Sequence, residues 1–283
     1  MKFDVSHPEI AAVVRAALAE DIGPGDVTTE LCVDAGRLAH GRFIAREPMT
    51  LAGIELLPLI YETARESAGG EIEIDLLHAS GDAVAPGEAL AEVRGEARRL
   101  LTCERVALNF LQRLSGVATL AHQFVERTAG TRCRVLDTRK TTPGLRRLEK
   151  MAAAAGGAVN HRMGLYDAVL IKNNHIAAAG GIRAALDRAL PAGRPVEIEV
   201  RTQAEIEQAL AGGATRLLLD NFTPREAAEE ICFIAGRAAV EISGGVTLDT
   251  VAAYAATGAD FISSGAITHS ARAVDINFRL ELI

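Results

Sequence analysis

Five cationic side chains and two carboxylates stand out because each ends, or lies beside, a short apolar run. Arg139 and Lys140 follow Val135-Leu136, Lys172 follows Val169-Leu170-Ile171, and His161-Arg162 occupy the loop before that second run. Glu199 falls at the end of Val196–Val200, which also contains Glu197, and Asp220 follows Leu217-Leu218-Leu219. Clustered guanidinium, ammonium and imidazole groups suit a small ligand of high negative charge, and the forked geometry of arginine suits carboxylate or phosphate. Carboxylates in the same cluster would repel that ligand unless they hold a divalent cation or sugar hydroxyls; Mg²⁺, usually held by one or two carboxylates plus substrate phosphates, is the natural ion. Ser243-Gly244-Gly245 and Ser264-Gly265-Ala266, each between an apolar run and a helical stretch, offer backbone N–H groups to a phosphate.

The polar ends recur at intervals of one strand, loop and helix, with helical patterns over 202–211, 224–235 and 247–256. Apolar strands alternating with helices predict a parallel sheet covered by helices. With no Gly-x-Gly-x-x-Gly turn, a partly open α/β barrel of about six or seven parallel strands fits better than a doubly wound sheet. In such barrels the strands' C-terminal ends form the active-site mouth. Residues 1–115 read differently. A helix begins at Pro8-Glu9 and stops in Asp21-Ile22-Gly23-Pro24-Gly25-Asp26, short alternating runs between 41 and 100 predict a small antiparallel sheet, and a second helix is expected over 102–115. The expected organisation is therefore an N-terminal α+β sandwich domain over 1–115, a barrel over 116–269, and a strand-like segment, 270–283, returning to the first domain.

The 283 residues carry 30 Lys+Arg against 37 Asp+Glu, a net charge of −7, so no global cationic field exists to hold nucleic acid or an anionic membrane. Only Lys2, Lys140, Lys150 and Lys172 are lysines, which draws attention to the two at strand ends. The most apolar window, 51–61, is interrupted by Glu55 and is too short to span a bilayer. The start, Met1-Lys2-Phe3-Asp4, lacks the apolar stretch of a signal peptide, and a cytoplasmic protein is expected. Cys32, Cys103, Cys133 and Cys232 form no C-x-x-C pair, which argues against a zinc site and a disulfide framework. His175 reads either as a ligand contact or as a hydrogen-bonded histidine at a helix start, with the structural role favoured.

Several blocks together resemble the quinolinate phosphoribosyltransferase family. They are Glu20-Asp21-Ile22-Gly23-Pro24-Gly25-Asp26-Val27-Thr28-Thr29, Glu104-Arg105-Val106-Ala107-Leu108-Asn109-Phe110, Asp137-Thr138-Arg139-Lys140-Thr141-Thr142-Pro143-Gly144, His161-Arg162-Met163-Gly164-Leu165-Tyr166-Asp167, Lys172-Asn173-Asn174-His175, Leu219-Asp220-Asn221 and Ser243-Gly244-Gly245. The resemblance is collinear from about residue 20 onward; it departs at Asn173, a position commonly acidic in the family. It implies transfer of phosphoribose from phosphoribosyl pyrophosphate to quinolinate with decarboxylation, with Mg²⁺, in de novo NAD biosynthesis, by a homodimer that can assemble further. It also implies roles. Arg139, His161, Arg162 and Lys172 would hold quinolinate, with Arg105 entering from the neighbouring subunit. Lys140 would act between the substrates, Glu199 and Asp220 would serve the ribose and Mg²⁺, and Ser243, Gly244, Gly245, Ser264 and Gly265 would hold the 5′-phosphate. Nicotinate has one carboxylate and would not need the His161-Arg162 pair, which favours the dicarboxylate. A Schiff-base lysine chemistry at Lys140 or Lys172 and a non-catalytic phosphosugar sensor are the rival classes, and the acidic pair argues against the latter.

Overall fold

The computed structural model describes residues 3–65 and 71–283; Met1 and Lys2, part of the start considered above, lie outside them. The chain forms two compact units, one of residues 1–122, 142–157 and 270–283, the other of 123–141 and 158–269.

The first unit opens with α1 (Pro8–Ile22), whose first turn uses the preset φ of Pro8 and a bond from Glu9 N–H to His7 Nδ1. Ile10, Val14 and Leu18 recur every four residues and form its buried stripe. There follow α2 (Val27–Cys32), β1 (Leu38–Ala45), β2 (Met49–Thr50), α3 (Leu56–Arg65), β3 (Glu73–Leu76), β4 (Ala83–Val84), β5 (Ala89–Glu96) and α4 (Ala97–Arg127), with α5 (Arg146–Ala155) in the same unit. Asp26 Oδ1 caps α2 by accepting the Thr29 N–H at 3.0 Å. The C-terminal strand does return here: it lies at the edge of an antiparallel sheet, next to β1, with β5 and β3 beyond. Its register runs from Ala45 opposite Ile276 to Ala39 opposite Leu282, and the Phe43 and Phe278 rings meet at 4.8 Å between centroids.

The second helix is longer than the 102–115 expected, 31 residues from Ala97 to Arg127. Gly116, just past the expected end, serves packing: a Cβ there would come within 1.9 Å of the Arg272 carbonyl oxygen. In α5 the fully buried Glu149 takes Arg113 Nε and NH2 at 3.0 and 2.7 Å on Oε1, and the Thr142 N–H at 3.0 Å on Oε2. This bonding satisfies a charge that burial alone would make costly.

The second unit holds six parallel strands, β6 (Arg134–Leu136), β7 (Val169–Ile171), β8 (Val196–Val200), β9 (Arg216–Asp220), β10 (Ala239–Ser243) and β11 (Phe261–Ser263), in the order β6-β11-β10-β9-β8-β7. The sheet is a partly open barrel. β6 and β7 are its edges, and the outer edge of β6 is met by an isolated parallel bridge between Leu136 and Val159. Helices α6 (Asn173–Ala179), α7 (Ile182–Ala189), α8 (Gln203–Ala211), α9 (Pro224–Ile234), α10 (Val251–Ala255) and α11 (Ala266–His269) separate the later strands and follow the last of them. Thr202 and Thr223 cap α8 and α9 through the N–H groups of Glu205 and Glu226. Successive side chains of a strand face opposite ways. One face is the buried set Ile198, Val200, Leu217, Leu219, Val240, Ile242 and Ile262, and the other receives Glu197, Glu199, Arg216, Asp220, Glu241 and Ser243. The last strand is β12 (Ile276–Leu282). Among the described residues, no helix is long and apolar enough to cross a membrane.

Candidate active site

Just past β6, the fully buried Asp137 organises the rim. Its Oδ1 accepts the His161 N–H at 2.9 Å and its Oδ2 the Asn160 side-chain amide at 2.6 Å. That clasp brings the His161-Arg162 loop to the strand end from which Arg139 emerges. Burial lowers the pKa of the Arg162 guanidinium, and the positive charge of Arg139 lowers it further. Arg162 NH1 donates to the Ala168 carbonyl at 3.2 Å, and Asp167 secures the loop by accepting the N–H groups of Met163 and Gly164 at 2.6 and 2.9 Å. Arg162 also lines a cavity of about 350 Å³ along the edge strand β7, with Leu165, Val169, Ile171, His175 and Arg188.

A second group joins Lys172, Glu199 and Asp220. Glu199 is buried at the end of β8. Burial and the neighbouring Asp220 raise its pKa, opposed by Lys172, the Asn173 N–H and Arg201. His175 Nδ1 accepts the Lys172 N–H at 2.9 Å, the helix-start role expected of it. Asp220 Oδ2 accepts from the Asn221 side-chain amide at 2.9 Å, and the Asn221 N–H donates to the Ser243 carbonyl at 2.9 Å. Gly244 has φ 92°, and a Cβ there would come within 2.2 Å of Asn221 Oδ1, so glycine is required.

The third group is Lys140 with the last turn. The Lys140 Cδ lies 2.7 Å from where a Gly265 Cβ would be, and Thr268 Oγ1 donates to the Lys140 carbonyl at 2.8 Å. Ser264 is buried and spends its hydroxyl on the Val246 carbonyl at 2.9 Å and its N–H on Leu136 at 3.3 Å. Of that turn, Gly265 is the more open part. Arg105 is exposed on α4, in the other unit.

Three charged residues were missed by reading strand ends alone: Glu197, Arg216 and Glu241. Arg216 donates from Nε to Glu197 at 2.8 Å and from NH2 to Glu241 at 2.8 Å, and its guanidinium lies 4.5 Å from the centroid of the Phe261 ring. His161 Nε2 meets Glu197 Oε2 at 3.2 Å and Glu241 Oε2 at 3.5 Å. Burial disfavours the charged imidazole, but the two carboxylates outweigh it and lift the His161 pKa to about 9. Burial likewise raises Glu197; Glu241 stays low because bonds from His161, Ser263 and Arg216 overcome its desolvation. The available signal was the period of two, which puts Glu197 on the same face as Glu199 and Arg216 on that of Asp220. His161, Glu197 and Glu241 offer atoms within 4.8 Å of one another, as a metal site would, but the Arg216 guanidinium already takes the cation's place between the carboxylates. Burial pushes the Cys103 and Cys133 thiols up to about 12, which marks them as inert core residues.

Together, a parallel barrel whose strand ends carry a guanidinium pair, a lysine and a carboxylate pair defines an α/β-barrel protein with a rim suited to an anionic ligand. The chain belongs to the quinolinate phosphoribosyl transferase family, whose N-terminal domain matches residues 26–115 and whose C-terminal domain matches residues 117–279. It is 40% identical to the chloroplastic nicotinate-nucleotide pyrophosphorylase (carboxylating) of Arabidopsis thaliana, over 98% of this chain and 84% of that protein. It is 39% identical to the corresponding Mycobacterium leprae protein, over 94% of this chain and 95% of the relative. The solved nicotinate-nucleotide pyrophosphorylase of Francisella tularensis superposes with a TM-score of 0.91 at 37% identity, covering 99% of this chain and 98% of that one.

Proposed function

We propose that this chain transfers phosphoribose from phosphoribosyl pyrophosphate to quinolinate, releasing pyrophosphate and CO2 and giving nicotinate mononucleotide, as a step of de novo NAD biosynthesis in the cytoplasm. The observation that carries this reading is the placement of Arg139 and Arg162 at one rim, where the charge of Arg139 bears on the Arg162 guanidinium, within a chain that matches both domains of the family. In this reading Arg139, Arg162 and Lys172 grip the two carboxylates of quinolinate, His161 stands beside them, and Arg105 reaches the site of the neighbouring subunit in a homodimer. The Ser243-Gly244-Gly245 and Ser264-Gly265 turns face the 5′-phosphate.

Displacement at the anomeric carbon builds positive charge on the ribose ring while negative charge grows on the departing pyrophosphate. Glu199 and Asp220, beside the sugar, stabilise the first, and Lys140 stabilises the second, as preorganised charges. No covalent nucleophile is needed. Once the pyridine nitrogen is ribosylated its positive charge stabilises a carbanion at the neighbouring C2, so the carbon–carbon bond to the 2-carboxylate breaks with its electron pair left on C2, CO2 departs, and C2 takes a proton from water. Glu199 and Asp220 also fit a divalent ion: they are hard oxygen donors near enough that Asp220 raises Glu199. Mg²⁺ held there would supply further neutralisation of phosphate charge.

The test is direct. Purified protein with quinolinate, phosphoribosyl pyrophosphate and Mg²⁺ should release CO2 and nicotinate mononucleotide, and nicotinate should be a poor substitute. Turnover of nicotinate equal to that of quinolinate would overturn the dicarboxylate assignment.

A further inference from the structure

Beneath the rim, His161, Glu197, Arg216 and Glu241 form one closed set of charges. Glu241 is 1% exposed and Glu197 5%, so neither carboxylate is a solvated surface group. Arg216 bridges them with two bonds of 2.8 Å, and His161 Nε2 approaches both from the other side at 3.2 and 3.5 Å. Arg216 balances one of the two carboxylates, and the His161 Nε2–H lies between them as a further donor, which lowers the cost of burying them. The position of the set matters as much. His161 Nδ1 accepts the Arg162 backbone N–H at 2.7 Å, and Asp137 holds the His161 main chain. The imidazole is thus gripped at Nε2 by strands β8 and β10, and its other edge abuts the residue that carries the rim guanidinium. Nε2 bears a proton whether the ring is neutral or charged, because its neighbours there are carboxylates.

We propose that Glu197, Arg216 and Glu241 are positioning residues, a hydrogen-bonded platform that fixes the His161 ring and through it the direction of Arg162 at the dicarboxylate end of the site. This rests on the function proposed above. The groups facing the ring are Glu197 from β8 and Glu241 from β10, which Arg216 from β9 bridges, while Asp137 after β6 holds the His161 main chain and Arg139 and Asp167 act on the neighbouring Arg162. Glu199 and Asp220 lie nearer the mouth on the same strands as Glu197 and Arg216, so the platform serves the pyridine without being part of the sugar site.

Steady-state kinetics of Glu241→Gln, which keeps the shape and removes the charge, test this. The KM for quinolinate should rise about tenfold or more, the size expected when a charged buried hydrogen-bond partner is lost. The KM for phosphoribosyl pyrophosphate and the kcat at saturating quinolinate should change much less. In a His161→Gln background the same substitution should add little, because it acts through that ring. Should Glu241→Gln not fold, Arg216→Lys carries the same expectation, since an ammonium keeps the charge but cannot bridge two carboxylates. The platform would be refuted by an unchanged quinolinate KM in a folded variant, by an equal loss in kcat, or by full additivity with His161→Gln. Wild-type protein that does not turn over quinolinate at all would instead overturn the function itself, a separate outcome.

Discussion

Lys140 and Glu199 share a rim but answer different charges. Lys140 is exposed beside Gly265, where a polyanion can reach it, whereas Glu199 is buried and has its pKa raised by burial and by Asp220. Replacing either by alanine should lower kcat on the order of 10²-fold, the usual cost of removing one preorganised electrostatic group; near wild-type turnover in a purified variant would remove that residue from the mechanism. His161 makes a separate prediction about stability. Its folded pKa of about 9 lies above the ordinary value of about 6.5, so its contribution is complete below about pH 6.5 and is lost as pH climbs through about 9. Thermal melts between pH 6 and 10 should show a decline for the wild type that is shallower in His161→Gln. At this scale the sequence was informative wherever a charged residue followed an apolar run. It was silent on Arg216 and Glu241, because a charge inside a strand looks like an interruption until a neighbouring strand supplies its partner.

The elements show the same division. All six parallel strands coincide with apolar runs legible in the sequence, because a strand covered by helices needs apolar residues. The length of α4 was not legible, because the chain segment that Gly116 accommodates lies more than 150 residues away at Arg272. Gly116→Ala should therefore destabilise the protein by about 2 to 3 kcal/mol through overpacking against a carbonyl, despite alanine's better helix propensity. Calorimetry would show a Tm several degrees lower; an unchanged or higher Tm would mean the segment at Arg272 moves aside freely.

For the whole molecule, the exposed Arg105 on α4 is the residue that ties activity to assembly in the proposed homodimer. Arg105→Ala and Lys140→Ala, each inactive alone, should regain about a quarter of wild-type activity when refolded together, since half of random dimers carry one intact site of two. Mixtures no more active than the separate variants would place Arg105 outside the neighbouring site. Such sharing cannot be read from one chain's pattern, where an exposed helical arginine looks like any solvated side chain.

The barrel's incomplete closure has its own outcome. Two backbone bonds hold the Leu136–Val159 bridge, from Val159 N–H to Val135 at 2.8 Å and from Asp137 N–H to Val159 at 3.1 Å, and two residues later the chain becomes His161. Among the described residues this isolated bridge is thus also the pin of the segment proposed to grasp the pyridine acid. Occupancy by quinolinate should slow deuterium uptake at the Val159 and Asp137 amides well before it alters the middle of the sheet.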